Sequence, residues 1–367
     1  PAKKNESVGT VEIVIPPTIT KTAAEIPIEK NAHVEKWIDF FRGRGKSEMS
    51  RYLARSTRYK PTMEKIFADY GLPKELIYLA LIESGFNPDA HSPANAVGYW
   101  QFMRGTAGTY GLKVSKMVDE RRDPILSTHA AAKYLRSLYH LFGSWHLAIA
   151  SYNVGENKMK YVVMKHYTRD YWQLVEKQVL PIETINYVPK FMAARLIAES
   201  PQSYGFDEID YQASLEFDEV TIHRPIGMSE WALKMGVPVS DLKTLNPAIR
   251  SNVVPLNKGE SMSLRVPRGK LQVALESVEK SGISAAHFQT QEYVFYKIKK
   301  GDNMFQIARR SGSAIETIET LNGLSRRDPL KQGALIKMPM RGPAAVLAAE
   351  KVHKVTTGDT LIGLAQA

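Results

Sequence analysis

From Pro201 onward the chain repeats itself, and a repeat decides architecture before any other signal does. Trp231–Pro247 (WALKMGVPVSDLKTLNP) aligns without a gap with Ile307–Gly323 (IARRSGSAIETIETLNG), pairing Gly236 with Gly312, Leu245 with Leu321 and Asn246 with Asn322. A further copy begins near the end: Tyr296–Arg310 (YKIKKGDNMFQIARR) matches His353–Ala367 (HKVTTGDTLIGLAQA), with Gly-Asp at the same place in both. Each unit reads strand, helix, helix, strand, over Val294–Ile298, Met304–Arg310, Ala314–Leu321 and Leu335–Met338. The second half is therefore a string of small α+β modules of βααβ type. The unit at Phe217–Pro267 lacks Gly-Asp, with Pro225-Ile226 in its place. The copy ending at Ala367 has one strand and one helix, too little to complete a core, so a truncated module is expected there.

The front half has a different period. From Val34 to Ser200 apolar residues recur at helical spacing, as in Trp37, Phe40 and Phe41. Asp123-Pro124 starts a helix and Gly143 stops it, with Ala131, Tyr134, Leu135, Leu138 and Phe142 on one stripe. Ile185, Val188 and the run Phe191–Ile197 mark the last helix before Pro201. Residues 1–33, with Pro16, Pro17 and Pro27, read as an extended arm. The boundaries expected are 1–33 arm, 34–200 helical domain, 201–267 degenerate module, 268–292 linker helix, 293–340 intact module, and 341–367 linker and truncated copy.

Composition narrows the function. No run of about eighteen apolar residues occurs, so nothing reads as a membrane span. Pro1-Ala2-Lys3-Lys4 has no apolar stretch behind it, so a signal peptide, if one existed, is already gone. There is no cysteine, which removes disulfides and thiolate metal sites. The nine histidines are scattered without a paired metal motif, so neither metal nor other cofactor is expected. A net charge of +11 favours an anionic partner. Basic clusters interleaved with aromatics are missing, so nucleic acid is not expected.

The chemistry is placed by Leu72–Gly85 (LPKELIYLALIESG). Pro73 suits a first helical turn and Gly85 the position just past the end. Leu76, Leu79, Ala80 and Glu83 share one face, so a carboxylate ends an apolar stripe on the last turn. Burial and the negative end of the helix dipole both favour its protonated form. That is the state needed to protonate a glycosidic oxygen. A solvated glutamate at a frayed helix end remains the alternative from the helix alone. The stretch that follows, Glu83–Leu112, is dense in Gly, Asn, Pro and Ser with embedded aromatics, a surface suited to gripping sugars.

Four motifs then occur in order: Glu83-Ser84 with Phe86-Asn87-Pro88, Gly98-x-x-Gln101-x-Met103, Ala150-x-Tyr152-Asn153-x-Gly155, and Glu183-Thr184 leading to Tyr187-Val188. In these the chain resembles the lytic transglycosylase family, whose catalytic domain is mainly α and lysozyme-like of the goose type. The repeats resemble LysM, a module that binds peptidoglycan and chitin. The Trp-Gln-Phe variant and the appended modules resemble a membrane-bound subfamily.

The resemblance implies cleavage of the MurNAc–GlcNAc bond of peptidoglycan without water, leaving 1,6-anhydroMurNAc ends. It implies Glu83 as sole acid and base. Ser92, Gln101 and Met103 would line the cleft, Tyr152 and Asn153 would contact sugar, and Tyr187 would approach Glu83. Asp302 and Asn303 would contact glycan in the intact LysM module. Tyr99-Trp100 stands where many relatives carry Leu-Met, which suggests a narrowed or re-aimed subsite. From Ser84 to Val118 the only acid is Asp89, in a turn context, so no second carboxylate is evident. The partners implied are glycan strands, for a monomer in the periplasm, attached to the outer membrane by a lipid on a removed N-terminus. Two other readings stay open: a hydrolytic lysozyme of the same fold, and a wall-binding scaffold without catalysis.

Overall fold

A computed structural model describes residues 25–257, 259–280, 293–299, 301–311, 315–322, 324 and 328–339. Most of the expected arm and all of the copy expected over 341–367 lie outside the described residues. The chain divides into two units, Pro1–Val114 with Glu120–Leu215, and Ser115–Asp119 with Glu216–Ala367.

The first unit is helical: α1 Ala32–Arg42, α2 Lys46–Ser56, α3 Lys60–Asp69, α4 Tyr78–Ser84, α5 Arg104–Thr109, α6 Pro124–Phe142, α7 Trp145–Val154, α8 Glu156–His166, α9 Tyr171–Glu176 and α10 Ile182–Glu199. Caps explain several boundaries. Asn31 Oδ1 accepts from His33 N and Val34 N to start α1. Asp123 Oδ1 does the same for Ile125 N and Leu126 N ahead of α6, which Gly143 ends at φ 66°. The apolar stripe foreseen on α6 is buried.

Helix α10 packs against α1, α4 and α7. It carries Pro189 inside, which has no N–H for the carbonyl of Ile185. The buried Tyr171 hydroxyl lies 2.8 Å from that carbonyl and donates to it instead. The helix expected over Leu72–Gly85 is shorter than its sequence suggests. Pro73 sits outside it at ψ 130°, Lys74–Ile77 is a 3-10 turn, and only Tyr78–Ser84 is α-helical.

In the second unit β1 Phe217–Ile222 pairs antiparallel with β4 Met262–Pro267, and β2 Ile226–Gly227 with β3 Val253–Val254. Helices α11 Met228–Met235, α12 Val239–Leu245 and α13 Leu271–Lys280 cover them. The core is built on Trp231, whose indole N–H donates to Ala274 O at 3.2 Å. Ser115–Asp119 joins this unit: Val118 pairs with Ile249 and is buried in the same core. The sequence offered no sign of that insertion.

A second core in the unit holds β5 Tyr293–Lys297, α14 Met304–Ser311, α15 Ile315–Asn322 and β6 Leu335–Pro339. The repeat is borne out atom by atom. Asn246 Nδ2 donates to Leu242 O and Arg265 O while its Oδ1 accepts from Arg265 N. Asn322 does the same with Ile318 O, Lys337 O and Lys337 N.

Candidate active site

Leu76, Leu79 and Ala80 are fully buried, and Glu83 follows one turn later, half-buried. Just beyond it the chain must reverse. Gly85 takes φ 56°, donating to Leu81 O, while Phe86 N reaches Ala80 O. A Cβ on Gly85 would sit 2.0 Å from Tyr52 Cδ1, so only glycine fits. Ser84 Oγ donates to Tyr99 O at 2.8 Å, fastening this turn to the loop that follows.

That loop is held in an unusual shape. Gly98, at φ 84°, would place a Cβ 1.9 Å from Arg121 O. Gln101 adopts φ 47° and spends its side-chain N–H on Gly98 O at 2.9 Å and Ala90 O at 3.3 Å. Ser92 Oγ accepts from Ala96 N at 3.0 Å and closes a tight turn. Met103 is 46% exposed, so it is a surface residue rather than core filling. Tyr99 and Trp100 are buried, and Trp100 donates to Thr128 Oγ1 at 3.0 Å. The expectation that these two rings reshape a subsite is corrected: they fill the interior of the helical unit.

The other motifs converge on the same place. Tyr187 of α10 donates its hydroxyl to Glu83 Oε1. Tyr152 of α7 donates to Trp100 O at 2.7 Å. Asn153 receives Thr184 Oγ1 at 2.8 Å and donates to Glu183 Oε1 at 2.9 Å. Burial raises the Glu83 carboxyl to about 7, against the opposing pull of the Tyr187 hydroxyl and Lys190, with Glu183 adding to the rise. Burial first, then the Glu83 charge, lift Tyr187 well above its ordinary range, so its hydroxyl remains a donor.

Sequence reasoning counted acids only near Glu83 in the chain. Asp89 is indeed an exposed turn residue, ion-paired to Arg122 at 2.7 Å. Glu183, however, arrives from α10 close enough to disfavour ionisation of Glu83. Ser84, Glu183 and Thr184 lay within the quoted motifs without being named as site residues. Lys190 lay outside them, one turn beyond Tyr187.

In the intact module, Asp302 and Asn303 are buried. The Asp302 carboxylate accepts from Tyr296 Oη, Lys299 N and Arg310 Nη1. Asn303 Oδ1 caps α14 through Gln306 N at 2.7 Å. Both side chains are engaged in shaping the module's own turn.

Residues 63–175 match the Transglycosylase SLT domain. Residues 216–281 match the family described as "Lytic transglycosylase MltD, LysM-like domain", and residues 296–339 match the LysM domain. The chain is 31% identical over 309 residues to membrane-bound lytic murein transglycosylase D of Escherichia coli (strain K12), covering 80% of this chain and 67% of that one. The chain belongs to the lytic transglycosylase family. Over 93 residues this lytic transglycosylase is also 36% identical to peptidoglycan transglycosylase gp16 of Escherichia phage T7, covering 25% of this chain and 7% of the phage protein. Among solved structures it is similar to the 70 kDa soluble lytic transglycosylase from Escherichia coli, with a TM-score of 0.33 at 24% identity over 41% of this chain and 25% of that one. Among the described residues no helix is long and apolar enough to cross a membrane.

Proposed function

We propose that this lytic transglycosylase cuts peptidoglycan glycan strands with Glu83 as its single acid and base. The observation that carries the assignment is a carboxyl raised to about 7 and receiving the Tyr187 hydroxyl. A group with that proton affinity is half protonated near neutrality, where it can both give and take a proton. Glu83 first protonates the oxygen between N-acetylmuramic acid and N-acetylglucosamine, breaking the C1–O bond. The carboxylate so formed then takes the proton of the muramoyl 6-hydroxyl as that oxygen bonds C1. The nucleophile is already part of the reacting ring, so orientation replaces an activated water. Tyr187 holds the carboxyl in place, while Met103, Gln101, Ser92, Tyr152 and Asn153 define the cleft.

Domains divide the work. Residues 34–200 carry the chemistry. The module at 293–340 holds the polymer, through the loop backbone that Asp302 and Asn303 fold. The 201–267 module contributes structure more than glycan binding. The protein acts as a monomer on the periplasmic side of the envelope, and a lipid on a preceding segment would attach it to the outer membrane.

Glu183 favours one second reading. Hydrolysis needs a base for water, and Glu183, whose charge acts on Glu83 and whose Oε1 accepts from Asn153, would be that base. Mass spectrometry of digested sacculi separates the two. Products lighter by one water, with anhydro ends, are expected. Reducing ends alone would establish a lysozyme, and undiminished digestion by Glu83→Gln would remove Glu83 from the chemistry.

A further inference from the structure

Lys190 has no part in the chemistry described above, yet it is built into the back of the site. It lies three residues beyond Tyr187 on α10, hence on the same face. Its Nζ donates to Ile82 O at 3.3 Å, one of the last-turn carbonyls of α4. The ammonium stands 5.7 Å from the centre of the Trp37 ring on α1. Trp37 is itself fixed to α10 by its indole N–H, which donates to Asn186 Oδ1 at 3.2 Å. Lys190 is thus held between an aromatic face and the negative end of the helix that carries Glu83.

We propose that Lys190 is a positioning residue for Glu83: its ammonium anchors the last turn of α4 and supplies the positive charge against which the carboxyl ionises. The proposal rests on Glu83 being the acid. Without such a cation, burial and the helix end would both disfavour the carboxylate that forms as Glu83 gives up its proton, and the first half-reaction would be slowed. The groups that face the pair come from several elements. From α10 they are Tyr187 and Glu183, from α7 Tyr152, and from α2 Glu48, which attracts Lys190. Also from α2, Arg55 donates to Gly85 O at 2.7 Å, just past the helix end, where Tyr52 crowds Gly85. Burial lowers the proton affinity of Lys190 itself, and Glu83, Glu183 and Glu48 oppose that fall.

The test compares Lys190→Met, Lys190→Gln and Lys190→Arg in the full chain. The rate of anhydro-end formation on soluble glycan strands, as kcat/KM, is followed against pH. Loss of charge should move the alkaline limb upward by about half a pH unit or more. Lys190→Gln should match Lys190→Met, since it keeps an N–H donor but has no charge, and Lys190→Arg should restore the wild-type limb. Should Lys190→Met fail to fold, Lys190→Gln decides. A limb that stays in place in a folded, uncharged variant, with rates reduced equally at every pH, would show that Lys190 is a structural cap only. Glu83→Gln is run alongside: if that variant remains active, the acid assignment fails and the role of Lys190 falls with it, whereas an unmoved limb beside an inactive Glu83→Gln overturns the role of Lys190 alone.

Discussion

Glu83 should lower the stability of the fold at neutral pH, by an amount that follows from its proton affinity. Burial lifts this carboxyl from 4.5 to about 7. The native state therefore holds its proton more tightly than the unfolded chain does. For such a group stability is full below the unfolded value and falls as pH rises to the folded one. The window runs from about pH 4.5 to about pH 7. At about 1.4 kcal/mol per tenfold change in proton affinity, the loss approaches about 3 kcal/mol above that window. Glu83→Gln removes the ionisation but keeps an acceptor for the Tyr187 hydroxyl. Urea unfolding of the full chain, followed by far-UV circular dichroism, should superimpose for wild type and variant at about pH 4, where both side chains are neutral. At about pH 8 the variant should be more stable by up to about 3 kcal/mol, although it is inactive. A difference of the same size at both pH values would refute the argument, because it would arise from packing rather than from a buried proton.

Two other outcomes are expected. Tyr187→Phe should reduce turnover on the order of 10- to 100-fold while KM changes by less than about threefold, since the hydroxyl acts on the acid and not on binding. A folded variant with wild-type turnover would remove Tyr187 from the mechanism. Asn322→Ala deletes three hydrogen bonds, two of which join α15 to β6 while the third closes the end of α15 itself, so its module should lose about 2–4 kcal/mol. Co-sedimentation with sacculi should fall while cleavage of soluble strands persists; retained sedimentation would show that another part of the chain holds the wall.

The features legible in the sequence were those with local chemistry. Asp123-Pro124 and Gly143 bound α6 because capping and φ > 0 are properties of single residues. The repeat was legible because Asn246 and Asn322 each close the same hydrogen-bonded corner. What stayed hidden depends on which distant segments meet. Glu183 is drawn to Asn153 across α7 and α10. Ser115–Asp119 finds its strand partner at Ala248–Arg250. Tyr99 and Trp100 looked like cleft residues because they sit between two motif positions. The left-handed turns at Gly98 and Gln101 rotate that segment so that both rings enter the core.

A lone acid on a seven-residue helix needs its surroundings to be rigid, and the loop after Glu83 shows how rigidity is supplied. Phe86, Asn95 and Gln101 all hold positive φ without being glycine, conformations that persist only when neighbours impose them. Two buried arginines do so. Arg121 Nη1 donates to Asn95 O at 3.1 Å and Phe102 O at 3.0 Å, and Arg122 Nη1 to Pro88 O at 3.0 Å. Ser84 ties the same loop back to the acid's own turn. Each strained residue is therefore bracketed by a hydrogen bond to a group outside it, and the cleft wall is set before any sugar arrives. A transition state that relies on an internal hydroxyl reaching C1 gains most from such a wall, because misorientation of the ring cannot be offset by a second catalytic group. The strain at Phe86, Asn95 and Gln101 and the two buried guanidiniums are in this sense one device: the arginines fix the loop, and on the proposed mechanism a fixed loop would orient the sugar and leave Glu83 with proton transfer alone.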